Sequence, residues 1–254
     1  MIEKRVLIPS STGSELHGIH YMSSKEIKKA SFLIMCHGFT GDKYEWGRFP
    51  ELANRCAQER IDSLIFDFTG SGENERVPKT LFKQFADLES VYQWVQNKGY
   101  DKIAVLGLSF GGLTALGAKL RGVKTYIFWA PYLFLHTTDD QNEWFRDLNK
   151  GPIEIPSTIE DRPIIIDISF MTDFAKFRIK NHLKKLDTPI LIIQGTSDDN
   201  IPYELTRKAY NLIPNNKKKL IEIENAPHDF EGDHAKEFIK HTIEWLKLYL
   251  LEIE

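Results

Sequence analysis

Ile103-Ala104-Val105-Leu106-Gly107-Leu108-Ser109-Phe110-Gly111-Gly112 sets a serine between glycines at the end of an apolar run. The run before the serine is short and branched enough for a buried strand, whereas 113–120, rich in Leu and Ala, suits a helix. Ser109 therefore stands at a strand-to-helix corner. A corner that sharp strains its central residue, and it closes only if the residues two before and two after lack a Cβ. Gly107 and Gly111 meet that demand. The pattern is a G-x-S-x-G nucleophile elbow, which lifts the serine oxygen clear of the sheet and aims a helix N-terminus at it. A glycine-rich turn with an incidental serine would read the same over five residues, so the rest of the chain decides.

Around the corner, strands and helices alternate at short intervals. Val6-Leu7-Ile8 and 16–21 flank the turn-forming Ser10-Ser11-Thr12-Gly13-Ser14, which predicts an opening antiparallel hairpin with His17 and His20 on different faces, both at the surface. Ser31-Phe32-Leu33-Ile34-Met35-Cys36 is the first strand that reads as buried on both sides. A helix over 49–60, a strand over 61–67 and an amphipathic helix carrying Phe82, Phe85, Leu88, Val91, Tyr92 and Val95 lead into the Ser109 strand. Thr125-Tyr126-Ile127-Phe128-Trp129 is the next strand, and the rhythm is that of a doubly wound, mostly parallel sheet with helices on both faces.

Between 132 and 174 the rhythm breaks. This segment carries Tyr132, Phe134, Trp144, Phe145 and Phe170, with Pro152, Pro156 and Pro163. Residues 151–156 and 162–168 alternate as short β segments around a turn, so a small hairpin flanked by short helices is expected. An insertion here leaves the carboxyl edge of the sheet above the serine, where a lid belongs. A helix near 175–186, an apolar strand over 189–194, a helix over 203–212, a strand over 220–223 and a closing helix over 235–251 complete one domain, residues 1–254.

Composition bounds the function. At 254 residues, 42% hydrophobic and 27% charged, the chain reads as a folded soluble protein with one large core. A formal charge of −3 offers no footprint for nucleic acid, and Lys217-Lys218-Lys219 reads as a solvated turn before a strand. Cys36 and Cys56, the two cysteines, are too few for a disulfide framework and read as small core residues. The first residues lack the apolar core of a signal peptide, and no apolar run approaches the roughly 20 residues needed to span a bilayer, so a cytoplasmic location without membrane association is expected. Asp67-Phe68-Thr69-Gly70-Ser71-Gly72 superficially resembles a phosphate loop. A dinucleotide fingerprint opens a helix directly, however, and here the helical pattern starts only near Thr80. No zinc spacing links His228, Asp229 and His234, and neither metal nor cofactor is expected.

A serine hydroxyl needs a base to take its proton and a third group to orient that base. His228 follows the last strand, and Asp198 and Asp199 follow the strand before it, which brings both loops to the carboxyl edge beside Ser109. The chain order Ser, Asp, His is that of hydrolases with this elbow. Of the eight histidines, His182, His234 and His241 fall in helical patterns and His136 lies in the insertion, where it could touch ligand. Asp229 is expected to face away if His228 faces the serine. Two backbone N–H groups must hold the oxyanion. Phe110 supplies one, and Phe39, in the loop His37-Gly38-Phe39, is the best candidate for the other, with His37 structural.

The chain resembles the α/β-hydrolases, among them the cinnamoyl or feruloyl esterases and acylglycerol-lipase-like relatives. The resemblance is carried by His37-Gly38-Phe39-Thr40-Gly41, Asp67-Phe68-Thr69-Gly70-Ser71-Gly72, Gly107-Leu108-Ser109-Phe110-Gly111-Gly112, Gly195-Thr196-Ser197-Asp198 with Ile201-Pro202, and His228-Asp229-Phe230. It implies an α/β-hydrolase fold with a small lid, and it assigns the acid to Asp198 over Asp199. Leu108 and Phe110 stand where such esterases often carry His and Gln, a difference in the acyl pocket that spares the Phe110 N–H. The implied activity is that of a serine carboxylesterase on short or aromatic acyl esters, a small-molecule substrate. A monoacylglycerol lipase or thioesterase would use the same triad, and a catalytically silent ligand-binding protein is the alternative from another class.

Overall fold

The apolar run that leads to Ser109 forms the middle of a sheet. In the computed structural model, which describes residues 1–23, 31–134, 146–159 and 161–251, the chain opens with strands β1 (Ile2–Pro9) and β2 (Glu15–Met22). They pair antiparallel along their whole length, from Ile2 with Met22 to Pro9 with Glu15. There follow β3 (Ser31–Cys36), α1 (Arg48–Gln58), β4 (Asp62–Phe66), α2 (Leu81–Asn97), β5 (Lys102–Leu108), α3 (Phe110–Gly117) and β6 (Thr125–Trp129). The excursion beyond β6 holds β7 (Ile153–Ile155), β8 (Ile164–Ile166) and α4 (Ile168–Lys176). Then come α5 (Ile179–Leu183), β9 (Ile190–Gly195), α6 (Tyr203–Leu212), β10 (Lys218–Ile223) and α7 (Gly232–Leu250).

The large sheet runs β1-β2-β4-β3-β5-β6-β9-β10, parallel from β4 onward, with β2 antiparallel to both its neighbours. Strands β3, β4, β6 and β9 are buried at every residue, which is why they read as unbroken apolar runs and not as alternating ones. Side chains leave each strand on alternate faces. From β3, Phe32 and Ile34 join Leu88, Val91 and Leu113 of α2 and α3. Leu33 and Met35 meet Phe49, Leu52, Phe238 and Leu246 of α1 and α7 on the other face. Both cysteines are free and fully buried, and burial pushes their thiols well above the ordinary range.

Several expectations need correction. His20 is buried, with its ring 5.4 Å from that of Phe32 and 5.9 Å from that of Trp94, because β2 is an inner strand covered by α2 and not the free edge of a hairpin. His17 is half-buried on the opposite face, where its Nδ1 lies 2.8 Å from Asn74 Oδ1. The basic triplet is not a turn throughout: Lys218 and Lys219 already pair with Ile190 and Leu191 in the sheet. The helix expected near 175–186 is two pieces, since Phe177 turns extended (φ −81°, ψ 129°) and packs its ring 5.1 Å from that of Phe85. The expected small hairpin is present as β7 and β8, paired from Ile153 with Ile166 to Ile155 with Ile164. His136, Trp144 and Phe145 lie outside the described residues. Among the described residues, no helix is long and apolar enough to cross a membrane.

Candidate active site

Ser109 joins β5 to α3 with φ 51° and ψ −115°, a left-handed backbone that a serine adopts only when its surroundings enforce it. Those surroundings are visible atom by atom. Its N–H donates to the Trp129 carbonyl at 2.8 Å, and its carbonyl accepts from Tyr132 N–H at 3.0 Å, so β6 and the chain after it hold the corner. A Cβ on Gly107 would sit 2.4 Å from the Gly111 carbonyl oxygen, and one on Gly111 would sit 2.2 Å from that of Cys36. Both contacts are with backbone, so the two glycines cannot be replaced without moving the corner.

The other two loops meet for a similar reason. A Cβ on Gly195 would lie 2.1 Å from the Ala226 carbonyl oxygen, so the loop after β9 packs directly on the loop after β10. Ser197 N–H donates to that same carbonyl at 3.1 Å. Asp198 and His228 are thereby juxtaposed. His228 Nδ1 lies 2.9 Å from Asp198 Oδ2, and His228 Nε2 lies 3.2 Å from Ser109 Oγ. The Asp198 side chain is fully buried, and it also accepts from Ile201 N–H at 2.6 Å through Oδ1 and from Gln194 Nε2 at 2.7 Å through Oδ2. Three donors offset the cost of burying this carboxylate and fix its orientation. Asp199 is exposed.

Gln194 was not legible as a site residue, although a glutamine closing the run Pro189-Ile190-Leu191-Ile192-Ile193 is a signal in itself: a buried amide there must have partners. Its Nε2 faces the Asp198 carboxylate and, at 3.2 Å, the Ile201 carbonyl, two groups that only accept, which settles the orientation of the amide and leaves Oε1 to accept from the Thr206 hydroxyl of α6 at 2.9 Å.

The loop after β3 approaches from the opposite side. A Cβ on Gly38 would lie 3.8 Å from Ser109 Cβ, and Phe110, whose N–H is a leading donor of α3, follows the serine directly. His37 is buried; its Nε2 accepts from Phe68 N–H at 3.1 Å, which leaves Nδ1 as the donor to the Gly38 carbonyl at 2.7 Å. Burial first, and then the neighbouring Lys79, hold His37 neutral, well below the usual imidazole range. Glu45 Oε1 accepts from Gly38 N–H at 2.6 Å, and burial pushes its carboxyl up to about 7. In the loop after β4, Asp67 accepts from Lys43 Nζ at 2.6 Å and from Glu73 N–H at 3.0 Å, and a Cβ on Gly72 would strike its carboxylate. The centre of that glycine loop is thus filled by an acid, a poor host for phosphate.

Ser109, His228, Phe39 and Phe110 border a cavity of about 620 Å³. Its aromatic wall joins Phe39 and Phe110 to Phe170 and Phe174 of α4, with ring centroids 5.0 to 5.9 Å apart. The excursion after β6 therefore walls the site. Asp229, expected to face away, is exposed and is nonetheless among the residues that line the cavity beside His228.

The sequence pattern of the alpha/beta hydrolase family matches residues 33–241, and the chain belongs to that family. Among solved structures it shares its fold with DcsB in complex with a substrate analogue, at 20% identity and TM-score 0.82 over 98% of this chain and 100% of that one. It also shares it with Est1E from Butyrivibrio proteoclasticus carrying bound ferulic acid, at 19% identity and TM-score 0.79 over 97% and 100% of the two chains. The uncharacterized protein YfhR of Salmonella typhimurium is 23% identical over 251 residues, 92% of this chain and 75% of that protein.

Proposed function

We propose that the protein is a serine carboxylesterase acting on short or aromatic acyl esters through an acyl-enzyme on Ser109. The observation that carries this reading is the unbroken series Ser109 Oγ, His228 Nε2, His228 Nδ1 and Asp198 Oδ2 beside a largely apolar cavity. As Ser109 Oγ attacks the ester carbonyl, His228 Nε2 takes its proton and Asp198 stabilises the imidazolium. The carbonyl oxygen becomes negative against the Phe39 and Phe110 N–H groups. Collapse returns the proton from His228 to the departing alcohol. Water then repeats the sequence on the acyl-enzyme and releases the acid, so the cycle needs no cofactor.

The cavity supports the substrate class. Its aromatic wall suits a flat or apolar acyl group. Among the described lining residues two carboxyls, Glu45 and Asp229, and no Lys or Arg are found, which favours a neutral ester over an anionic one. Est1E, whose structure holds ferulic acid, shares the fold. In this reading the 132–174 insertion serves as the lid. A series of p-nitrophenyl esters from acetyl to dodecanoyl, run beside methyl ferulate, separates this class from a monoacylglycerol lipase. Ser109→Ala is expected to lower p-nitrophenyl acetate turnover by about 10⁴-fold or more with the fold intact, and retained turnover would overturn the proposal.

A further inference from the structure

Gly38 and Phe39 present four consecutive backbone polar groups beside Ser109, and side chains hold three of them. Glu45 Oε1 accepts the Gly38 N–H at 2.6 Å, His37 Nδ1 donates to the Gly38 carbonyl at 2.7 Å, and Lys79 Nζ donates to the Phe39 carbonyl at 2.5 Å. Among the described residues, the fourth group, the Phe39 N–H, has no acceptor in the chain.

Glu45 and Lys79 are each 1% exposed, an expensive place for ionisable groups that lie outside the Ser109, His228 and Asp198 series. The backbone is bent to put Glu45 there. Glu45 and Trp46 have φ of 45° and 53°, both left-handed, and a Cβ on Gly41 would lie 2.4 Å from Glu45 Oε1. Arg48 steadies the carboxylate at 3.4 Å. Lys79 is reached from the other side of the site: its Nζ also donates to Ser71 Oγ at 2.7 Å, and its own N–H donates to the Ile165 carbonyl of β8 at 2.8 Å.

We infer that Glu45 and Lys79 are positioning residues for the oxyanion donor. The carboxylate on the Gly38 N–H and the ammonium on the Phe39 carbonyl lock the peptides on either side, so that the Phe39 N–H keeps one orientation toward the oxygen that becomes negative when Ser109 attacks. Preorganised donors contribute to catalysis only while they stay aimed. Lys79 further ties that aim to the hairpin of the insertion, through the β8 carbonyl it binds. The inference rests on the proposed role of Phe39 as an oxyanion donor.

The test compares the parent with Glu45→Ala, Glu45→Gln and Lys79→Met. Reactive serine is titrated to completion with a fluorophosphonate, so that kcat is expressed per competent site. Glu45→Ala and Lys79→Met are expected to lower kcat about 10- to 100-fold, with KM within about threefold of the parent. A trifluoromethyl ketone, which adds Ser109 to form a tetrahedral oxyanion, should weaken by the same factor, while the free acid product binds as before. Glu45→Gln keeps an acceptor oxygen for Gly38 and is expected to stay within about threefold of the parent in kcat. Should Glu45→Ala not fold, Lys79→Met probes the same donor from the neighbouring peptide. Unchanged kcat in the foldable Ala and Met variants, or equal losses for the ketone and the product acid, overturns the inference. A parent that takes no label at Ser109 overturns the catalytic reading and this inference with it, whereas a labelled parent with unaffected variants overturns the inference alone.

Discussion

Asp198→Asn exchanges one atom in the buried series and tests its logic. The parent carboxylate accepts from Ile201 N–H at 2.6 Å, Gln194 Nε2 at 2.7 Å and His228 Nδ1 at 2.9 Å, whereas an asparagine has one oxygen for all three. With its oxygen left on Ile201, the new NH2 faces Gln194 and His228. Gln194 can turn its amide, because the Thr206 hydroxyl 2.9 Å from Oε1 accepts as readily as it donates, at the loss of a 3.2 Å bond to the Ile201 carbonyl. His228 can adapt only by moving its proton to Nε2, where it meets Ser109 Oγ at 3.2 Å and can accept nothing. The reversed amide sets NH2 against the Ile201 N–H, a backbone donor that cannot turn, so the first arrangement wins. On the proposed mechanism kcat falls about 10⁴-fold, equal to about 5 kcal/mol of barrier, while stability changes by only about 1–2 kcal/mol. Steady-state hydrolysis of p-nitrophenyl acetate with a parallel thermal melt reads both quantities. A folded variant whose kcat stays within about tenfold of the parent would refute the tautomer argument.

Gly111→Ala drives a Cβ to 2.2 Å from the Cys36 carbonyl and 2.7 Å from that of His37, and β3, held between β4 and β5, cannot retreat. Denaturant unfolding should show a loss of about 3 kcal/mol or more, and parent-like stability would mean that the corner is not closed as described. Burial raises the Glu45 carboxyl from 4.5 to about 7, against the pull of Arg48 and the Gly38 N–H and with Asp42 and Asp229 adding repulsion. The folded chain then keeps a proton that the unfolded chain releases above 4.5, so this group makes stability fall as pH rises from 4.5 toward 7, by on the order of 3 kcal/mol. Glu45→Gln should lack that slope, and parallel stability curves for parent and variant would contradict it. Phe170→Ala removes a ring 5.2 Å from Phe39 and 5.0 Å from Phe174. KM for methyl ferulate should rise about fivefold while that for p-nitrophenyl acetate holds, the size of one aromatic contact; equal changes for the two esters would put the acyl group elsewhere.

The sheet was legible because its strands are buried on both faces and leave long apolar runs, and because steric demands at Gly107 and Gly111 leave a mark in the residues themselves. The juxtaposition of the Ser109, Asp198 and His228 loops followed from strand order alone. What supports them left no such mark. Glu45 and Lys79 are polar residues in irregular segments, and Gln194 ends an apolar strand, so their partners depend on contacts 4 to 40 positions away. His20 is hidden for a related reason: alternation within β2 says which face a residue takes, but only the docking of Trp94 from α2 shows that this face is covered. Phe177 interrupts a helical pattern to reach Phe85, a tertiary contact that overrides local propensity.

In the proposed cycle the acyl carbon of the ester passes through a covalent bond to Ser109 Oγ. Acid quench during turnover of a p-nitrophenyl ester, followed by mass analysis of the peptide that contains Ser109, tests it most directly. The acyl mass increment is expected on Ser109 in the parent and absent in Ser109→Ala; steady ester consumption with Ser109 unmodified in the parent, or a His228→Ala variant that turns over as fast, would overturn the acyl-enzyme cycle.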